Sequence, residues 1–186
     1  MRATPDTAGF TLVELLVGMI VVAVLGSSLV TLLRVQHHAY NDQNAGVLAM
    51  QNARAGLDMM SKEMRNAGFD PYGLAGAGVT EWTATSFGYT ADLNDDGDVL
   101  DPDEVVTYLY DPDDDLLVRR EGGVQATVAT RVTDLEFRYW SDEAGTPAST
   151  AAEIEQIRIR MEYETAEGAL TGSLTTTVAL RNQIYE

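Results

Sequence analysis

Cysteine is absent from this chain of 186 residues. Its absence excludes disulfides, thiolate zinc sites, iron–sulfur clusters and cysteine nucleophiles together. It sets no compartment, because many exported proteins lack cysteine. Histidine is almost absent too: the only two, His37 and His38, are adjacent. On a helix such neighbours point to different faces and chelate one metal poorly, so they read as polar residues beside an apolar segment. Basic residues are scarce as well. Twelve Lys and Arg stand against 29 Asp and Glu, a formal charge of −17, so a nucleic-acid backbone or an anionic lipid surface is a poor partner for the bulk of the chain. No Ser–His–Asp set, nucleophile elbow or phosphate loop can be assembled. The segment Gly73–Gly78 (GLAGAG) fits neither GxGxxG nor GxxxxGK[ST] and follows no strand pattern, so it reads as a flexible loop. The sequence is expected not to be an enzyme. Its length suits about one domain.

What is present is strongly asymmetric. From Phe10 to Leu33 the chain is apolar with a single charge, Glu14. As a helix this stretch spans about 36 Å, enough for a hydrocarbon core of about 30 Å. A buried core helix is a weak alternative, since Leu15 to Leu33 carries no charge at all. A cleavable secretory signal needs a basic start and a shorter apolar stretch, whereas Met1–Gly9 carries only Arg2, offset by Asp6. Val24-Leu25-Gly26 would make a poor cleavage site for it. A membrane anchor fits best. Glu14 is then the odd residue, because an intramembrane carboxylate is costly and commonly has a partner and a task; the plain alternative is an interfacial, snorkelling side chain.

Residues Gly9-Phe10-Thr11-Leu12-Val13-Glu14-Leu15-Leu16 resemble the processing site of type IV prepilins and pseudopilins. A short polar leader ends in Gly, and Phe, a Glu at the fifth mature position and an apolar helix follow. The resemblance implies cleavage after Gly9 by a prepilin peptidase and N-methylation of Phe10. It further implies that the Glu14 carboxylate pairs with the Phe10 ammonium of a neighbouring subunit. A buried carboxylate becomes tolerable when a cation meets it in a low-dielectric bundle. The leader departs from the family in having so little positive charge.

The helical pattern continues past the membrane segment. Val47, Met50, Ala53, Leu57, Met60 and Met64 form one apolar stripe, with Gln51, Arg54, Asp58, Lys62 and Arg65 on the other faces. Gly68 as a left-handed cap and then Pro71 predict the stop. Beyond Gly68 the period becomes two, as in Leu135-Phe137-Tyr139, Ile157-Ile159-Met161-Tyr163 and Leu174-Thr176-Val178-Leu180. Further strands are predicted at 82–90, 105–110 and 116–121, the last two joined through the turn Asp111–Asp115. The expected fold is α+β and, by the resemblance, type IV pilin-like. A long N-terminal helix, membrane-spanning in its first half, would pack on an antiparallel β-sheet head. The expected divisions are a leader at 1–9, a transmembrane half at 10–33, an amphipathic half at 34–67 and the head at 68–186.

From Asp92 to Asp115 there are 11 acidic residues and no basic one. With Asp92 as position 1, Asn94, Asp96, Gly97 and Asp98 fall at 3, 5, 6 and 7 of a D-x-[DN]-x-[DN]-G calcium loop, and Val99 stands where such a loop docks on a core. Asp92, Asn94 and Asp96 offer side-chain oxygens, Asp98 a backbone carbonyl, and Asp103 or Glu104 the closing carboxylate. The loop 92–104 resembles the dockerin type, which ends in Asp, and its flanks read as strands. A structural Ca2+ is therefore expected; a solvated acidic turn is the alternative.

Glu63–Pro71 and the terminal Leu180-Arg181-Asn182 resemble PilW-type minor pilins and J-type pseudopilins of type II secretion. That resemblance implies a structural subunit of a pilus or secretion filament. Its partners would be prepilin peptidase, other major and minor pilin subunits, the inner-membrane assembly platform and membrane lipid, with no nucleic acid. The subunit would reside in the bacterial inner membrane with a periplasmic head before joining a filament. A membrane-anchored calcium-binding adhesin or ligand-binding module that never polymerises is the alternative.

Overall fold

The computed structural model describes residues 9, 11–165, 168 and 170–180. The chain divides into two compact units, residues 1–43 and 44–186, and helix α1 (Leu12–Met64) contributes to both. In the first unit every described side chain from Thr11 to Gln43 is exposed, including large apolar residues such as Leu15, Ile20, Val24 and Leu29. An 18-residue window of this helix has a mean hydropathy of 2.5 and none of it is buried, so by length and composition it can cross a membrane.

In the second unit the helix supplies one wall of a core. Ala53, Gly56, Leu57, Met60 and Met64 are buried, at the 3–4 spacing of a single face. Val47 and Met50, expected on the same stripe, are exposed. The packing thins toward them, and at Asn52 the contact is polar, with the Thr130 N–H donating to Oδ1 (3.0 Å). The helix ends by tightening: Asn66 and Ala67 donate to the carbonyls of Glu63 and Met64, three residues back, and Gly68 follows at φ 74°. The Gly68 N–H then donates to Thr90 O (3.0 Å), which carries the chain directly onto the sheet.

Among the described residues eight strands follow, all paired antiparallel. β1 (Val79–Trp82), β2 (Ser86–Thr90), β3 (Val105–Asp111), β4 (Leu116–Glu121) and β5 (Val124–Thr130) form one sheet in that order, and β6 (Val132–Trp140), β7 (Gln156–Glu164) and β8 (Thr171–Ala179) form a second. The expected strand over 82–90 is in fact the β1–β2 hairpin. Its turn is held by Thr83, whose Oγ1 accepts from the Ser86 N–H (2.9 Å) while its own N–H donates to Ser86 O (2.9 Å). β5 has weak apolar alternation and no counterpart among the expected strands. It is launched by a two-residue turn in which Gly122 and Gly123 both have positive φ (54° and 82°). Arg131, at φ 57°, turns the chain from the first sheet into the second.

The core forms between helix and sheets. Met60 and Met64 cluster with Phe87, Tyr108 and Leu117 of the first sheet and with Leu135, Ile157 and Met161 of the second. On β7, buried Ile157, Ile159 and Met161 alternate with exposed Arg158 and Arg160, the one-face-wet pattern that period two predicts. β2 breaks that pattern, being buried at all five positions. Its second face carries only Ser86, Gly88 and Thr90, and neighbouring side chains cover them: a Cβ on Gly88 would lie 3.0–3.1 Å from atoms of Thr107, Glu81 and Thr80. The architecture is α+β and pilin-like, a long apolar N-terminal helix with an antiparallel β head.

Candidate functional site

Two segments carry the chemistry that the sequence singles out, and each lies in its own unit. In the first, α1 opens at Leu12 with Thr11 before it. Thr11 donates from its N–H (3.2 Å) and its hydroxyl (3.0 Å) to Glu14 Oε2, and the Glu14 N–H donates back to Thr11 Oγ1 (3.3 Å). This is a reciprocal capping box, satisfying amides that the first turn leaves without helical partners. The T-x-x-E spacing, Thr11 to Glu14, is its signal in the sequence, and it gives Glu14 a local task besides any pairing between subunits. Glu14 itself is exposed, and with Leu15, Gly18, Met19, Val22 and Ala23 it lines a shallow, mostly apolar groove along the helix. Gly9 is described and exposed; Phe10, the residue expected to carry the new amino terminus, lies outside the described residues.

The second segment is the acidic loop between β2 and β3. Its ends are drawn together by Glu104, whose carbonyl accepts from the Ala91 N–H (3.0 Å). The Glu104 carboxylate accepts from the Leu93 N–H at Oε1 (3.0 Å) and the Asp101 N–H at Oε2 (3.3 Å). Asp92 N–H donates to Phe69 O (2.8 Å), tying the loop's first residue to the segment after the helix. Within the loop, Asp92 Oδ2 accepts from the Gly97 N–H (3.0 Å), and Gly97 has φ 86°, a conformation that glycine adopts without strain. Asn94 Oδ1 accepts from Asp96 N–H, Asp96 Oδ1 from Asp98 N–H, and Asp98 Oδ1 from Leu100 N–H, a run of side-chain turns at 2.9–3.1 Å.

The result is a curled loop in which carboxylate oxygens of Asp92, Asp96 and Glu104 lie within 4.8 Å of one another. Of the two candidates for the closing position, Glu104 is the one brought to Asp92 and Asp96. Asp103 is exposed on the 3-10 turn Pro102–Glu104, and Asp98 is exposed with its carboxylate engaged by Leu100. Asn94 is exposed, and its Nδ2 donates to Asp96 Oδ2 (3.0 Å) and Asp101 Oδ2 (2.8 Å). Asp101, which the spacing does not single out, thus joins the loop's polar network. Val99 is half-buried, where a docking residue is expected. The loop's exit leans on the β4–β5 turn, since a Cβ at Gly122 would collide with the Pro102 ring.

The two histidines lie on α1 and are exposed, with His37 beside Leu33, Gln36 and Tyr40. The glycine-rich stretch 73–78 is a loop whose Leu74 and Gly76 N–H groups donate to the Asp70 carboxylate (3.1 and 3.0 Å), while the Gly78 N–H donates to Thr90 Oγ1 (3.1 Å). Of the terminal residues that carry part of the resemblance, Leu180 is buried, whereas Arg181 and Asn182 lie outside the described residues.

Comparison with known proteins bears on the first segment. Residues 5–30 match the family model of the prokaryotic N-terminal methylation motif. No curated protein and no solved structure matches the chain. The N-terminal segment is thus a type IV prepilin-like signal, carried on a helix long and apolar enough to span a membrane.

Proposed function

We propose that this chain is a processed structural subunit of a type IV pilus or a type II secretion-like filament. Prepilin peptidase would cut it after Gly9, and the amine of Phe10 would then be methylated. The observation that carries this reading is the methylation motif over residues 5–30, set on a helix whose apolar side chains are all exposed through Leu33. So much unburied apolar surface demands lipid or partner helices. In a filament the Glu14 carboxylate would meet the Phe10 ammonium of a neighbour, an arrangement that fixes register because removing either charge leaves the other unpaired. The stretch Glu63–Pro71 supports a PilW-type or J-type placing, that is, a minor component of a small initiating or tip complex and not of the shaft. The subunit would wait in the inner membrane with its head in the periplasm, and its partners would be other pilin-like subunits and the assembly platform.

A second reading, a membrane-anchored module that never polymerises, is favoured by one observation. The capping box gives Glu14 a complete role within its own helix. The mass of the N-terminal peptide from native membranes separates the two. A peptide beginning at Phe10 with one added methyl group is expected; an intact Met1 terminus would overturn the filament reading in favour of the anchored module.

A further inference from the structure

We infer that the loop 92–104 is a calcium site whose protein ligands centre on Asp92, Asp96 and Glu104. Asp92 and Glu104 are 0% and 1% exposed, so two carboxylates are buried side by side. Like charges withdrawn from water repel each other and lose hydration, and such groups are retained where an opposite charge meets them. Backbone N–H groups meet three of their four oxygens, but no donor among the described residues meets Asp92 Oδ1, which is fully buried. Asp96, which is exposed, brings a carboxylate oxygen within 4.8 Å of a carboxylate oxygen of each of the two. Basic residues are missing from the whole stretch 92–115, so no side chain of the segment can supply the positive charge.

The donor chemistry selects the ion. All the available ligands are oxygens, which suits a hard cation and not zinc or copper. Oxygens on opposite sides of one calcium stand about 5 Å apart, and the three carboxylates converge within 4.8 Å. Magnesium demands a tighter, near-octahedral shell and gives up its waters reluctantly, whereas calcium accepts an irregular set of six to eight oxygens. Asn94, whose Nδ2 donates to Asp96 Oδ2 (3.0 Å), stands beside the three carboxylates. A bound ion would hold Asp92, hydrogen-bonded to Phe69, against Glu104, where β3 begins, and so brace the junction between the helix end and the sheet.

The test uses the full chain in detergent micelles, titrated with calcium chloride by calorimetry and melted in calcium or in EGTA. One saturable calcium per chain is expected, with a melting temperature that rises roughly 5–10 °C once calcium exceeds its dissociation constant about 100-fold. Glu104→Gln risks misfolding because Glu104 is buried, so the deciding variant is Asp96→Asn at an exposed position. It should bind calcium at least about tenfold more weakly while melting like the parent in EGTA. Asp113→Asn, in the β3–β4 turn, should bind like the parent. The proposal is overturned if no saturable binding is seen, if magnesium stabilises equally at the same concentration, or if Asp113→Asn weakens binding as much as Asp96→Asn.

Discussion

In the join between α1 and the first sheet, one carboxylate, that of Glu63, has a removal cost that can be worked out from its partners. Glu63 Oε2 accepts from Tyr108 Oη (2.7 Å) and from Arg119 Nε (2.7 Å). Tyr108 and Arg119 face it together because they are register partners on β3 and β4. Arg119 also holds Glu121 with Nη1 (2.6 Å) and Nη2 (2.9 Å). In Glu63→Ala, Arg119 therefore keeps a carboxylate, and because Glu63 is 27% exposed the lost ion pair accounts for at most about 1 kcal/mol. Tyr108 is fully buried and has no other hydroxyl partner among the described residues, so its stranded hydroxyl costs roughly a further 1–3 kcal/mol. The expected loss is about 2–4 kcal/mol, or roughly 5–15 °C in melting temperature for a domain of this size. Tyr108→Phe removes donor and desolvation penalty together and should cost only about 1–2 kcal/mol. In the Tyr108→Phe background, Glu63→Ala should then cost about 1 kcal/mol, giving a coupling of roughly 1–3 kcal/mol. Urea unfolding of the four proteins followed by circular dichroism measures the cycle. Equal costs of Glu63→Ala in both backgrounds would show that the hydroxyl–carboxylate bond contributes nothing and would refute this account.

Two further expectations test the N-terminal segment and the buried phenols. Glu14→Gln keeps an oxygen to accept from Thr11 and removes the charge, whereas Glu14→Ala removes both, at a local cost of about 0.5–2 kcal/mol in the cap. Both should insert in membranes and neither should enter filaments; normal incorporation of the Gln variant would show that the cap suffices and that Glu14 has no charge-pairing role. Burial, reinforced by Glu63, pushes the phenols of Tyr108 and Tyr89 well above the ordinary tyrosine range. Their protons are thus held more tightly in the folded state. Stability should be unaffected by these groups below pH about 10 and fall as the pH rises beyond it, by about 1.4 kcal/mol per pH unit for each tyrosine. A urea midpoint that stays constant from about pH 9.5 to about pH 11 would contradict this.

What can be read from the sequence is what repeats or clusters locally. The apolar run from Phe10 to Leu33 needs no partner to declare its length, and the Gly9–Leu16 signal is contiguous. Period two marks β6, β7 and β8, because each presents one face to the core and one to water. The strand ranges 105–110 and 116–121 are legible for the same reason, with Asp111–Asp115 as the turn between them. The spacing Asp92-Asn94-Asp96-Gly97 is also legible, as a loop that must curl.

Where partners lie far apart in the chain, only the tertiary structure decides. Spacing puts Asp103 at the closing position 12, with Glu104 as its neighbouring alternative; the 3-10 turn at Pro102 leaves Asp103 exposed and brings Glu104 to Asp92. Nothing local announces that Glu63 will meet Tyr108 and Arg119, 45 and 56 residues away, since strand register sets that meeting. β5 escapes a reading of the sequence because its side chains are mostly exposed, so no hydrophobic alternation marks it, and its identity rests on backbone pairing with β4. The division into two sheets likewise turns on Arg131, whose left-handed backbone no periodicity encodes. Hydrophobic period and contiguous motifs are one-dimensional and survive in the sequence; register, burial and the convergence of charges are products of the chain's return upon itself.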